Sequence, residues 1–170
     1  MKRTLLALLL IVPFLIPNLS AAPTTQSALV GQPMKLTGTT FDGKDFSTDN
    51  WKGKVVLVDF WATWCGPCLE ELPHVKKAYD QYHDKGLEVV GISNDFKGDA
   101  LKKFLASNPS YPWPQLFDPK AAKDEDMHPI TTGFGIDGIP AIYLIDKKGV
   151  CRSVNAAAEM DELIPKLLAE

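Results

Sequence analysis

Lys54-Val-Val-Leu-Val-Asp-Phe-Trp-Ala-Thr-Trp-Cys65-Gly-Pro-Cys68 is the stretch from which the rest of the chain can be read. Its first half, Lys54 to Phe60, is an apolar, β-branched run suited to a strand buried on both faces, so it is expected to be the central strand of a sheet. From Cys65 onward Leu69, Leu72, Val75, Tyr79 and Tyr82 recur at steps of three and four, while Glu70, Lys76, Lys77, Asp80 and Asp84 take the other side. That spacing predicts an amphipathic helix ending near Gly86. Both cysteines therefore fall at a strand-to-helix junction. A cysteine at a helix N-terminus meets free backbone N–H groups and the positive end of the dipole, which favour the reactive thiolate. One turn later Cys68 can reach that sulfur, so attack by Cys65 on a disulfide can be followed by resolution from Cys68. Pro67 suits the first turn, where its missing N–H would be unpaired anyway. Asp59 interrupts the apolar strand. A carboxyl in a sheet core is costly, so it is either surface-facing or kept for a task.

Working outward, Met34 to Thr40, the turn Phe41-Asp-Gly-Lys44 and Phe46 to Trp51 read as a small N-terminal hairpin. Leu87 to Ile92 is expected to be a second strand and Asp99 to Ala106 a second helix, followed by a Pro-rich loop over Asn108 to Pro119 and a charged stretch around Lys123 to Asp126. Ala141 to Ile145, the turn Lys147-Lys-Gly149 and Val150 to Val154 form a hairpin, and Glu159 to Ala169 closes the chain as a helix carrying Pro165. Strands alternating with helices give an α/β sheet.

At 170 residues, 45% hydrophobic and 23% charged, the chain is sized for one domain with a real core, which argues against a disordered or collagenous protein. Lys2 and Arg3, the apolar run Leu5 to Ile16, and then Ser20, Ala21 and Ala22 follow the order of a secretory signal peptide. We expect residues 1–22 to be this leader, residues 23–30 a linker and residues 31–170 the domain. The run of about 12 apolar residues is short for a membrane span, although an uncleaved anchor is the competing reading. Either way the domain is expected outside the cytoplasm. Loss of Lys2 and Arg3 would take the net charge from −3 to −5, with no basic cluster, so nucleic acid is not an expected partner. Three cysteines leave at least one thiol unpaired within the chain. Cys151 is expected as a buried small apolar residue, the alternative being an exposed, oxidisable thiol. His74, His83 and His128 share no ligand spacing and are expected at the surface; no metal and no cofactor are expected.

Val58-Asp-Phe-Trp-Ala-Thr-Trp-Cys-Gly-Pro-Cys68 resembles the thioredoxin active-site motif. Taken with Phe41-Asp-Gly-Lys44, Trp51-Lys-Gly-Lys54 and Gly138-Ile-Pro-Ala141, the chain from about Gly31 to Glu170 resembles the exported TlpA/ResA-like branch of thioredoxin-fold oxidoreductases. The resemblance implies a thioredoxin-like fold, a central mixed sheet flanked by helices with an N-terminal hairpin extension. It implies that Cys65 and Cys68 form the redox-active disulfide and that Asp59 accepts a proton from Cys68. It implies that Glu71 tunes the pair and that Ile139-Pro140 is a cis-proline loop pairing with an extended substrate. Trp64, Gly66 and Pro67 would complete the substrate surface, and Pro73 would kink the helix.

The expected function is thus reduction of protein disulfides, for instance those of apocytochrome c before haem attachment, with electrons from a membrane thiol donor and the protein acting as a monomer. The Gly-Pro dipeptide is that of thioredoxin, whose potential is near −270 mV against about −120 mV for the oxidant DsbA. Alternatives are an oxidase or isomerase, a static short disulfide, and half of a zinc site, for which no second cysteine pair supplies ligands. A thiol peroxidase is a further alternative, but counting back from either cysteine does not give the Pro-x-x-x-Thr/Ser-x-x-Cys spacing. Copper delivery of the Sco type, with a distant His128, wants three residues between the cysteines rather than two.

Overall fold

The computed structural model describes residues 26–124 and 126–170; the expected leader lies outside the described residues. The described elements run β1 (Thr37–Thr39), β2 (Asp45–Ser47), β3 (Val55–Trp61), α1 (Gly66–Tyr82), β4 (Leu87–Ser93), α2 (Gly98–Ser107), β5 (Gln115–Leu116), α3 (Pro119–Lys123), α4 (Pro129–Gly133), β6 (Ala141–Ile145), β7 (Cys151–Ser153) and α5 (Met160–Ala169). Gln26–Leu29, inside the stretch read as linker, is one 3-10 turn, and Leu29 packs against the core.

All seven residues of β3 are buried, and β3 occupies the centre of a five-stranded sheet of order β5-β4-β3-β6-β7. It runs parallel to β4 and antiparallel to β6, so the sheet is mixed. Side chains alternate across a strand, and here the alternation divides two cores. Val55, Leu57 and Trp61 pack with Leu72, Val75 and Ala78 of α1 and with Met160, Ile164 and Leu167 of α5. Val56, Val58 and Phe60 face the other way, against Met34, Leu36, Phe46, Tyr143 and Cys151. At about 25 cal/mol per Å² of buried apolar surface, this two-sided burial is the main force holding β3 in place.

The N-terminal segment also closes both edges of the sheet. The Gly31 N–H donates to Cys151 O (2.7 Å) and Cys151 N–H to Gln32 O (2.9 Å), which covers β7. The Phe41 N–H donates to Gln115 O (2.7 Å) and Phe117 N–H to Thr39 O (3.3 Å), which covers β5. Unpaired strand edges invite other chains, and the hairpin extension removes that liability. One close approach needs a glycine. Gly91 of β4 lies beside Gln115 of β5, and a Cβ at position 91 would run into the Gln115 amide. That amide is held by the buried Trp61, whose indole N–H donates to Gln115 Oε1 at 2.8 Å.

Two elements were not foreseen. α3 and α4 are five-residue helices set by local caps, Asp118 accepting from the Lys120 and Ala121 N–H groups and His128 Nδ1 from the Ile130 N–H. His128 is thus not a surface residue as expected: it is 6% exposed, and burial lowers its pKa. The Pro129 ring after it starts the turn, and Nδ1 of His128 accepts the Ile130 N–H.

Candidate active site

β3 ends at Trp61, four residues of loop follow, and α1 begins at Gly66 with Cys65 as its N-cap. Pro67 lies in the first turn, and α1 continues through Pro73 to Tyr82. The N-cap backbone is extended (φ −87°, ψ 99°), which turns the Cys65 side chain back over the helix end, where Sγ accepts the Cys68 N–H at 3.2 Å. The two sulfurs are bonded, with Cα atoms 5.2 Å apart. Cys65 and Cys68 are both buried, at 6% and 2% exposure.

Asp59 is 2% exposed. By strand alternation with Leu57 and Trp61 it faces the layer formed by α1, under the helix that carries Cys68. Burial, and then the charge of Glu71, push its pKa up to about 7, and no hydrogen bond among the described residues holds the anion. Its acid–base change thus falls near neutrality, where a proton acceptor is most useful. Glu71, one turn beyond Cys68, is half-buried and lines a groove of about 560 Å³ with Asp137, Pro140, Ala141 and Ile142. The Ile139–Pro140 peptide is cis. Ala141 pairs with Phe60 across β3 and β6, so Pro140 stands level with Trp61, at the end of the sheet from which the cysteine loop rises.

Trp61 and Trp64 separate into different environments. Trp61 is 1% exposed in the core beside the cysteines, whereas Trp64 is 52% exposed and stacks on Phe96 with ring centroids 5.2 Å apart. The loop after β4 braces this region. Asp95 accepts the Thr63 N–H (3.0 Å), the Thr63 hydroxyl and the Ser93 hydroxyl (2.8 Å). Asn94 donates its N–H to Trp61 O (2.8 Å), and its Oδ1 accepts the His128 N–H (2.9 Å).

A family model described as Redoxin matches residues 17–166. The chain belongs to the Redoxin family. It is similar to a thiol-disulfide oxidoreductase ResA of Bacillus thuringiensis subsp. konkukian, 34% identical over 113 residues, covering 65% of this chain and 60% of that relative. Among solved structures it is similar to the thioredoxin domain of a thiol-disulfide oxidoreductase from Bacteroides vulgatus (30% identity, TM-score 0.64, covering 79% of this chain and 97% of that one). A putative thiol:disulfide interchange protein DsbE from Chlorobium tepidum aligns at 27% identity with TM-score 0.68, covering 80% and 94%. The Redoxin chain therefore has the thioredoxin-like fold, with its sheet, flanking helices and N-terminal hairpin.

The structure brings together Asp59, Cys65, Cys68, Glu71 and the Ile139-Pro140 loop around the end of β3, with Trp64, Gly66 and Pro67 on the loop and first turn. Sequence reasoning gave no bracing role to Asn94 and Asp95 and missed Phe96. A run of short polar residues after an apolar strand, Ser93-Asn-Asp95, was the available signal for a bracing loop. No helix of the described residues is long and apolar enough to cross a membrane.

Proposed function

We propose that this chain is an extracytoplasmic thiol-disulfide oxidoreductase that reduces disulfides of protein clients through Cys65 and Cys68. The observation that carries this reading is the sulfur of Cys65 at the N-cap of α1, accepting a backbone N–H, in a site whose strand also carries a buried acid poised near pH 7. In the reduced protein the Cys65 thiolate attacks one sulfur of the client disulfide. That S–S bond breaks, a Cys65–client bond forms, and the other client sulfur leaves as a thiolate and is protonated. Cys68 passes its proton to Asp59 and attacks Cys65 Sγ, closing the Cys65–Cys68 bond and releasing the second client sulfur. The client gains the two electrons that the cysteine pair loses; solvent protonates the first client sulfur, and the Cys68 proton passes from Asp59 to the second as it leaves.

Glu71 acts on this step through Asp59, because its negative charge raises the basicity of the buried carboxyl. Pro140 and Ile139 would receive the client backbone opposite the cysteines. A dithiol donor at the membrane restores the reduced pair, and a disulfide of apocytochrome c awaiting haem is the favoured client. Export rests on the leader-like residues 1–22.

Equilibration of the pair with glutathione or dithiothreitol buffers tests the direction. A potential at or below about −250 mV is expected of a reductant fed by a dedicated donor. A potential above about −180 mV would overturn it in favour of an oxidase or isomerase.

A further inference from the structure

At the end of the sheet away from the cysteines, a cavity of about 220 Å³ opens where β3 begins and β6 ends. Its floor is apolar, made by the buried Met34, Val56 and Ile145, and the half-buried Trp51, packed on Phe46 with ring centroids 5.0 Å apart, adds an aromatic wall. The rest of the lining is cationic. Lys35, Lys52, Lys54, Lys147 and Lys148 face Asp49 and Asp146 there, a surplus of three positive charges in a chain whose net charge is −3. These lysines come from three separate stretches of sequence, so only the fold assembles them into a cluster.

The two carboxylates are already committed. Asp49 is shared by Lys35 and by Lys52, the latter at 3.7 Å. The buried Asp146 accepts the Lys148 and Val150 backbone N–H groups (2.9 and 3.0 Å) and pairs with Arg152 at 3.1 Å. Lys147 Nζ donates to Leu168 O at 2.6 Å, near the end of α5. Lys54 and Lys148 are exposed and make no ion pair among the described residues. Two ammonium groups are therefore left over around an apolar hollow. An apolar concavity with a few polar groups to orient its occupant is the form of a small-molecule site, and this one falls below the roughly 300 Å³ at which such sites take drug-sized ligands. It has room for one ring or a short chain.

We infer that this cavity is a second binding site, for a small organic anion: a carboxylate on a short apolar or aromatic body, the body against Trp51 and the floor and the head held by Lys54 and Lys148. A bare inorganic anion would leave the apolar floor unused, and a neutral apolar molecule would leave the ammonium groups unanswered. The seven residues of β3 set the cavity about 20 Å from the cysteine loop, so the site stands apart from the redox reading and does not rest on it.

The test uses the oxidised full chain, isotope-labelled and titrated at low salt with phenylacetate, 2-phenylethanol and 2-phenylethylammonium, which share a body and differ in the charge of the end group. The readout is the indole N–H resonance of Trp51, identified by its loss in Trp51→Phe. We expect phenylacetate to shift it saturably and to bind about fivefold more tightly than phenylethanol, the scale of one or two exposed charge contacts, and phenylethylammonium to leave it unmoved. Lys54→Gln combined with Lys148→Gln, both exposed positions, is expected to bring the acid and the alcohol to equal affinity with melting temperature and disulfide turnover unchanged. No shift with phenylacetate, equal affinity for acid and alcohol in the wild type, or a preference for the acid that survives in the double variant each overturns the inference. Cosedimentation with phosphatidylglycerol vesicles that the double variant loses, in a protein that gives no shift with phenylacetate, overturns it in favour of an anionic membrane surface.

Discussion

Cys65 and Cys151 occupy two regions of the same molecule, are almost equally hidden at 6% and 0% exposure, and are set up for opposite chemistry. Cys151 lies in β7, on the face of the sheet covered by the N-terminal hairpin, and burial pushes its thiol up from the usual range. The Cys68 N–H points at the sulfur of Cys65, at the start of a 17-residue helix. The contrast teaches that burial alone does not make a thiol inert or reactive. What matters is whether backbone donors and a helix end meet the sulfur, because these stabilise the negative charge that burial penalises.

The severest way to break this comparison is to remove each active-site sulfur in turn. Cys65→Ser is expected to reduce disulfide turnover to background, while Cys68→Ser accumulates a mixed disulfide with client, seen by non-reducing electrophoresis and mass spectrometry. Turnover in Cys65→Ser that disappears on further removal of Cys151 would show the two thiols to be interchangeable.

Asp59 gives the next largest effect. Asp59→Asn is expected to slow release of the mixed disulfide by about 100-fold, read in a single-turnover experiment. The same acid leaves a mark on stability. Its folded pKa is raised to about 7 from a reference near 3.8, so between these pH values the folded chain binds a proton that the unfolded chain has lost. Stability therefore falls as pH rises through that window, by up to about 4 kcal/mol, and levels off above it. Denaturant titrations of the oxidised protein at pH 4 and pH 8 are expected to show this loss in the wild type and not in Asp59→Asn. An equal slope in both would remove Asp59 from the active-site side of the comparison.

The smallest effect is expected at Cys151. Cys151→Ala trades a sulfur for a small cavity in a well-packed strand, costing about 1–2 kcal/mol in chemical unfolding. Disulfide turnover is expected to stay within twofold of wild type. A larger loss of turnover would mean that the hairpin face of the sheet communicates with the cysteine pair.

The central strand, the cysteine helix and both hairpins were legible in the sequence because each is written in its own periodicity. Val55 to Trp61 is apolar throughout, and α1 repeats Leu72, Val75 and Tyr79 along one side. Asp59 stood out for breaking the first pattern. The short helices α3 and α4 did not stand out, since five residues carry no readable period and depend on the caps of Asp118 and His128. Phe96 was invisible for another reason. Its partner Trp64 is 32 positions away, and their meeting depends on β3 and β4 running parallel, so that both loops leave the same end of the sheet. The buried position of His128 likewise follows from Asn94, which is 34 residues distant.

The contact of Gly91, Gln115 and Trp61 has a consequence for how such a chain can diverge. A methyl group at position 91 collides with the Gln115 amide, and a shorter residue at 115 removes the acceptor for the buried Trp61 indole N–H. An orphaned buried donor costs on the order of 1–3 kcal/mol. The three positions are therefore coupled: a change at any one of them alone is expected to cost stability that a matching change at its partners can restore.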